Sequence, residues 1–139
     1  MGKPVTTKSA GICFAFPNVC FTPPTSPASP NGIPIPYPSI GQLSSTTGTA
    51  SSVRAGGNQV VVKASTINST TGDSAGSLGG VRSKSFGGSV TFKTASGSVF
   101  AEGSEVVRML DQTEQNNGPG GANAVGVVLG GFPSVLVGD

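Results

Sequence analysis

Glycine and proline interrupt this chain so often that only short regular elements fit between them. The 139 residues include 22 glycines and 11 prolines, which favour turns and weaken helix interiors. No window carries an apolar stripe with the period of about 3.6 residues that marks an amphipathic helix. Only 10% of the residues are charged, whereas disordered chains are usually rich in charge. We therefore predict an ordered, all-β domain of short strands and Gly/Pro-rich turns, with little or no helix.

Short runs of β-branched or alternating residues mark the expected strands. Gln59–Lys63 contains three consecutive valines, and Ser89–Thr94 alternates apolar and polar side chains. Ala95–Gly97 is predicted to be a hairpin turn, and Glu102–Ser104 is predicted to be a second turn. Val106–Glu114 has room for one helical turn. The apolar tail, Ala124–Val137, is broken by glycine and proline and predicts two further strands.

The N-terminal part of the chain contains a stretch dense in proline. We predict a flexible arm over residues 1–10, then a strand over Gly11–Thr22 that bends at Pro17, because proline supplies no N–H to a sheet. Seven prolines between residues 23 and 38 hold the backbone extended. Apolar side chains alternate with them, so we predict an ordered strap across the body, followed by a loop over residues 43–57.

The few charged residues do not suggest a surface for nucleic acid. Eight Lys and Arg stand against six Asp and Glu, a formal net charge of +2, and the basic residues are scattered. Binding to a phosphate backbone requires clustered cations, so we predict no nucleic-acid partner. The sequence shows no secretory signal peptide and no apolar run of the roughly 18 residues that a membrane helix needs. We therefore expect synthesis in the cytoplasm.

The sequence lacks most side chains that common enzyme sites need. It contains no histidine, which removes the usual general base and the usual zinc ligand. Glu102 and Glu105 could in principle act as a carboxylate pair, but their spacing in a turn region favours a solvated edge. Asp73 is predicted to accept hydrogen bonds from turn amides. We therefore predict no catalytic residues, no metal ligands and no enzyme activity.

The pairing of the two cysteines stays open at this point. Six residues separate Cys13 from Cys20, which permits a small disulfide loop. A chain made in the cytoplasm is normally kept reduced, however. Two free and buried thiols are the favoured interpretation.

Five short motifs occur in order along the chain. They are Phe16–Pro23 (FPNVCFTP), Ile33–Ile40 (IPIPYPSI), Ser69–Gly76 (STTGDSAG), Gly79–Ser83 (GGVRS) and Val106–Asp111 (VVRMLD). In this order they resemble the PAAR-like tip proteins of bacterial contractile injection systems, either type VI secretion or extracellular systems. Ser39 and Ser74 depart from the pattern, because asparagine and an acidic residue are common there. The matching positions are Pro17, Asn18, Cys20, Pro36, Tyr37, Pro38, Gly72, Asp73, Gly76, Gly79, Gly80 and Asp111.

The resemblance implies a fold, a partner and a task. The fold is a compact cone, with a tip domain over residues 11–117 and a short Gly-rich apolar extension over residues 118–139 packed on it. The partner is a homotrimeric VgrG-like β-helical spike with one tip per trimer, whose exposed strand ends the tip covers. The task is to sharpen the spike for membrane puncture, with transient contact with the target membrane. An effector is an optional cargo, and contraction exports the assembled particle.

The resemblance also raises the question of a metal. The better-known PAAR proteins hold a zinc ion near the apex with histidines and a cysteine. This chain has no histidine and retains at best Cys20 from such a set. We therefore expect neither zinc nor any other cofactor.

Two apolar segments are the candidate partner-binding surface, namely the strap and the tail. The candidate residues are Ile33, Ile35, Tyr37, Ile40, Val125, Val127, Leu129, Phe132 and Val135. For each of them core packing is at least as good an interpretation, because apolar residues at strand spacing usually face inward.

The alternative function is a β-sandwich adhesin or a tail-fibre-type binding module with a Pro-rich connector. Such a module would bind ligands through its loops and would have no affinity for a spike trimer. Binding to the spike therefore separates the two hypotheses.

Overall fold

Antiparallel strands make up nearly all the regular structure of the computed structural model, which describes residues 2–138. The strands in this range are β1 (Lys3–Val5), β2 (Ile12–Thr22), β3 (Ile33–Gln42), β4 (Thr46–Thr47), β5 (Ala50–Ala55), β6 (Asn58–Val60), β7 (Thr66–Ile67), β8 (Gly79–Gly80), β9 (Ser89–Phe92), β10 (Phe100–Ala101), β11 (Ser104–Glu105), β12 (Gln112–Asn117), β13 (Ala124–Leu129) and β14 (Phe132–Val137). The one helical element among the described residues is a 3-10 turn, Leu43–Ser45. The all-β prediction is confirmed, and the conical outline stays a prediction. None of the described residues belongs to a helix long and apolar enough to cross a membrane.

One large sheet dominates the described part of the chain. Its order is β3-β2-β13-β12-β9-β7-β4, and β8 pairs with the far half of β2. The other strands pair two by two: β1 with β14, β5 with β6, and β10 with β11. Within the segment 118–139, β13 lies between β2 and β12, and β14 pairs with β1. The tail therefore forms the two predicted strands, and one of them is central to the sheet.

A bulge at Pro17 reverses the side of β2 that faces inward. The register with β3 shifts between Ala15 and Asn18. Cys13 and Ala15 are buried before the shift, whereas Asn18 and Cys20 are buried after it. Proline is tolerated at this bulge because it has no N–H that a neighbouring strand would need as a hydrogen-bond donor. The predicted bend at Pro17 is confirmed.

The prediction of a flexible arm over residues 1–10 is corrected by the structure. Residues 3–5 form β1, and Val5 packs in a buried apolar cluster. Thr6 is fully buried, its N–H donates to the Val107 carbonyl at 3.0 Å, and its carbonyl accepts from the Val61 N–H at 2.9 Å. The segment is short and polar, so its strand becomes evident only from the partners that it meets.

Two apolar clusters form the core within the described residues. One lies beneath the main sheet and contains Cys13, Leu43, Val61, Ile67, Val90, Phe92, Val107 and Val128. The other contains Val5, Ala50, Ala55, Val60, Val62, Ala101, Val106 and Val137, with Phe132 packed against it. Both cysteines, which lie in the described range, are buried and free, as the favoured interpretation held.

Several local predictions differ from the structure. The stretch 43–57 contains the 3-10 turn, β4 and all of β5, and no helical turn forms in Val106–Glu114 among the described residues. Ala95–Gly97 does not close a hairpin, because β9 pairs with β7 and β12. The predicted turn at Glu102 and Gly103 does close one, between β10 and β11. Both residues have positive φ, 51° and 83°, as a two-residue hairpin turn requires.

Close packing of β13 against β2 leads to a first testable expectation. A Cβ at Gly126 would lie 2.1 Å from the Phe14 carbonyl oxygen, so Gly126→Ala forces the two strands apart. We expect it to lower the free energy of unfolding by about 1–3 kcal/mol, as overpacking does, in a urea titration. Gly97→Ala is the matched control, because a Cβ at Gly97 meets no atom within 4 Å. Equal midpoints for the two variants would contradict the packing described here.

Candidate functional site

The outward side of β3, β2 and β13 is apolar. Phe14 stands opposite Ile40 on one side and Val127 on the other, and Ile12 stands opposite Leu129. These side chains alternate with the buried positions of the same strands. We call the following seven residues the outer apolar face: Ile12, Phe14, Phe16, Ile40, Val125, Val127 and Leu129.

Three members of the outer apolar face are strongly exposed. Phe16, Val125 and Leu129 are 56%, 54% and 40% exposed, and the other four are half-buried. Exposed apolar patches of this kind mark interaction surfaces in soluble proteins. The face is therefore the candidate partner-binding surface of the fold.

Charged groups stand at one border of this face. Phe16 and Val125 line an open cleft of about 480 Å³ together with Arg82, Lys93 and Glu114. Glu114 lies on β12 directly opposite Val125 on β13. An apolar centre with a charged border is the usual arrangement of a protein interface.

The nine residues predicted to bind a partner do not form one surface. The outer apolar face includes Ile40, Val125, Val127 and Leu129. The far half of β3, beyond the bulge, carries Ile33, Ile35 and Tyr37, and β14 carries Phe132 and Val135. All nine keep some exposure, and their role in binding stays a prediction. Ile12, Phe14 and Phe16 were not among the predicted binding residues, because β2 is apolar on both sides of the bulge. Only their alternation with the buried Cys13 and Ala15 shows that they face outward.

Several motif positions converge on a buried polar cluster. The Asn18 Nδ2 donates to the Asp73 carboxylate at 2.7 Å, and the Gly87 N–H donates to the same carboxylate at 3.0 and 3.1 Å. The Asn18 Oδ1 accepts from the Nδ2 of Asn116 at 3.0 Å and of Asn123 at 2.6 Å. Asp73 thus accepts from a turn amide, as predicted, but from Gly87 rather than from its own turn. We call Asn18, Cys20, Asp73, Asn116 and Asn123 the polar cluster.

Cys20 completes this cluster as a neutral thiol. Its Sγ lies 3.7 Å from the Asn18 Oδ1 and 3.7 Å from the Asn116 Nδ2. Burial, and then the negative charge of Asp73, raise the pKa of the Cys20 thiol to about 11, and the hydrogen bond from Asn116 opposes them. The thiol therefore stays protonated at neutral pH.

Two motif glycines allow the backbone near β8 to approach the cluster. A Cβ at Gly76 would lie 2.4 Å from the Cβ of Cys20, and one at Gly80 would lie 2.5 Å from the side chain of Asn123. The remaining nearby motif positions lie on β2, on β3 and β8, which pair with β2, or next to Asp73, namely Pro17, Pro36, Tyr37, Pro38, Gly72 and Gly79. The motifs therefore describe one packed region of the fold.

Asp111 stands apart from the other motif positions. It forms a buried ion pair with Arg108, with 2.9 Å between the Arg108 Nη2 and the Asp111 Oδ1. Its Oδ2 also accepts from the Arg108 Nε at 3.1 Å and from the Arg108 backbone N–H at 2.7 Å. Structural hydrogen bonds thus occupy both buried carboxylates, Asp73 and Asp111. Residues 2–138 contain no group of three or more His, Cys, Asp or Glu side chains placed to hold a metal ion.

The comparisons with known proteins agree with these motifs. The toxin PAAR-like domain family matches residues 11–122, a range that includes all five motifs. The DNase toxin Tse7 of Pseudomonas aeruginosa is 39% identical over 106 residues, or 74% of this chain, but the match covers only 28% of Tse7. No solved structure matches the chain. The family match over most of the sequence confirms the resemblance that the motifs indicated, and the chain belongs to the toxin PAAR-like domain family.

Proposed function

We propose that this chain caps the blunt end of a trimeric VgrG-like spike in a type VI secretion or related contractile injection system. The outer apolar face carries the proposal, because Phe16, Val125 and Leu129 place large apolar side chains in solvent on neighbouring strands. A β-helical spike ends in unpaired strands and apolar side chains. Seating this face on that end removes both apolar surfaces from water.

The cap also sharpens the spike for puncture of the target membrane. One chain sits on each trimer, is assembled in the cytoplasm and leaves the cell when the apparatus contracts. An effector is an optional cargo of the same particle.

We further propose that the chain is a structural part of its system and has no nuclease activity. Tse7 is named a DNase toxin, and the chain spans 28% of its length. Two observations support a structural role for this part. Asp73 is buried and hydrogen-bonded to Asn18 and Gly87, and Asp111 is buried and paired with Arg108. These carboxylates are engaged in holding the fold, so neither is available to a substrate.

Binding to the spike tests the outer apolar face. Val125→Asp places a charge at a strongly exposed position of the outer apolar face, and we expect it to weaken binding to the cognate trimeric VgrG-type spike by about tenfold or more. The measurement is calorimetry with purified proteins, with the melting temperature of each variant as a check on folding.

The matched control is Leu136→Asp on β14. Leu136 is more exposed than Val125, at 62%, and lies outside the outer apolar face. We expect Leu136→Asp to leave the affinity for the spike unchanged. Equal losses of spike affinity for the two variants, or no loss for Val125→Asp, would contradict the assignment of the outer apolar face. If the unaltered chain did not bind the spike, the adhesin alternative would be favoured.

A further inference from the structure

The polar cluster is the candidate location for the zinc ion that the family resemblance implies. It contains the motif cysteine, Cys20, with Asp73 nearby at 4.0 Å from Sγ to Oδ2. Zinc requires four lone-pair donors, usually thiolate, imidazole or carboxylate. The remaining neighbours of Cys20 are amides, so the fit depends on which way those amides point.

The orientation of Asn18 is settled by its partner. A carboxylate only accepts hydrogen bonds, so the atom 2.7 Å from the Asp73 Oδ2 must be the Asn18 Nδ2. Its Oδ1 consequently faces Asn116 and Asn123 and accepts from both. These two hydrogen bonds use both lone pairs of that oxygen.

The orientation of Asn116 is settled by two backbone groups. The Gly88 N–H can only donate, and it lies 2.8 Å from the Asn116 Oδ1. The Ser85 carbonyl can only accept, and it lies 2.9 Å from the Asn116 Nδ2. The amino group therefore points toward Asn18 and Cys20.

Backbone groups also settle the orientation of the Asn123 side chain. Its Oδ1 accepts from the N–H groups of Arg82 at 2.9 Å and Ser83 at 3.2 Å. Its Nδ2 donates to the Val19 carbonyl at 2.9 Å and to the Asn18 Oδ1. Its oxygen therefore points away from the centre of the cluster, and its amino group points into it.

The donor set consequently does not fit a metal ion. Amide N–H groups of Asn18, Asn116 and Asn123 point into the cluster, and such groups repel a cation. The Asp73 carboxylate already accepts from Asn18 and Gly87. Every buried side-chain nitrogen and oxygen among the described residues has a hydrogen-bond partner.

We propose that the polar cluster is a metal-independent lock that holds this region of the fold together by hydrogen bonds alone. It joins the far half of β2 to the turn at Asp73, to the segment 82–88, to the end of β12 and to Asn123 before β13. These segments are far apart in the chain, because Asn116 is 98 positions and Asn123 is 105 positions from Asn18. The lock thus holds them by a closed set of hydrogen bonds, without coordinate bonds to a metal. The proposal rests on the geometry of the cluster and not on the proposed binding to a spike.

Metal content and thermal stability of the purified full chain test this proposal. The lock predicts far less than one equivalent of zinc by elemental analysis, and a melting temperature that neither EDTA nor added zinc chloride shifts. Cys20→Ser should fold and should show the same indifference to EDTA and zinc, because a hydroxyl, like the thiol, can accept from the Asn116 Nδ2 and donate to the Asp73 Oδ2. About one equivalent of zinc in the unaltered chain, a melting temperature lowered by EDTA, or loss of bound zinc on Cys20→Ser would overturn it.

Discussion

Asp111→Asn is expected to lower the free energy of unfolding by about 3–5 kcal/mol, the usual effect of breaking a buried ion pair from one side. Arg108 and Asp111 are only 7% and 2% exposed at their side chains, and three hydrogen bonds join the guanidinium and backbone of Arg108 to the carboxylate. The substitution keeps the size of the side chain but removes its charge. It also turns an amino group toward a buried cation.

Urea unfolding measures this effect, and Glu102→Gln is the matched control. Glu102 is an exposed carboxylate that accepts hydrogen bonds from Ser52, so the same change of carboxylate to amide occurs in water. We expect no measurable shift of the midpoint for that variant. Equal midpoints for the two variants would mean that the buried pair does not stabilise the fold.

Asn18→Ala is the second substitution with a large expected effect. Asn18 is fully buried and bonds Asp73, Asn116 and Asn123 at once. Its removal leaves one buried carboxylate and two amides short of a partner, and each unsatisfied group costs about 1–3 kcal/mol. Because water can re-solvate part of the space, we expect a loss of about 2–4 kcal/mol in unfolding free energy.

The control for this substitution is Asn58→Ala. Asn58 is exposed on β6, and its Nδ2 makes one long hydrogen bond, 3.4 Å, to the Gly56 carbonyl. Its replacement should change the stability by a few tenths of a kcal/mol at most, as is usual for surface positions. If Asn18→Ala unfolded at the same urea concentration as Asn58→Ala, the polar cluster would not be a lock.

The bulge at Pro17 explains how one strand serves both sites. Before it, the even-numbered residues of β2, such as Phe14, face outward and belong to the outer apolar face. After it, the even-numbered residues Asn18 and Cys20 face inward and enter the polar cluster. A regular strand would place all of them on one side. The motif that begins at Phe16 therefore sets both the apolar contact surface and the buried network.

Local chemistry was enough to predict much of the fold. Density of glycine and proline excluded long helices, the alternation around Val90 and Phe92 identified an inward-facing pair, and Glu102-Gly103 identified a tight turn. These patterns extend over only a few residues, so the local sequence is enough to predict the strands and turns that they indicate. The strand formed by residues 3–5 could not be predicted from the local sequence, because β1 forms only by pairing with β14 at the opposite end of the chain.

The candidate sites were only partly predictable for the same reason. The motifs identified Asn18, Cys20 and Asp73, but not Asn116 and Asn123, which flank a Gly-rich loop and look like ordinary loop amides in the sequence. Their function depends on hydrogen bonds that span most of the chain. Whether a β2 side chain faces outward or inward likewise depends on the bulge. Pro17 indicated that the strand is interrupted, but it did not indicate how many residues the bulge contains.

The mass of the complex with the spike tests the central claim most directly. Light scattering of the purified chain mixed in excess with its cognate trimeric VgrG-type spike measures how many chains each trimer binds. Capping the blunt end predicts one chain per trimer, because the end of a threefold spike offers a single place on its axis. Three chains per trimer, or no complex at all, would contradict it.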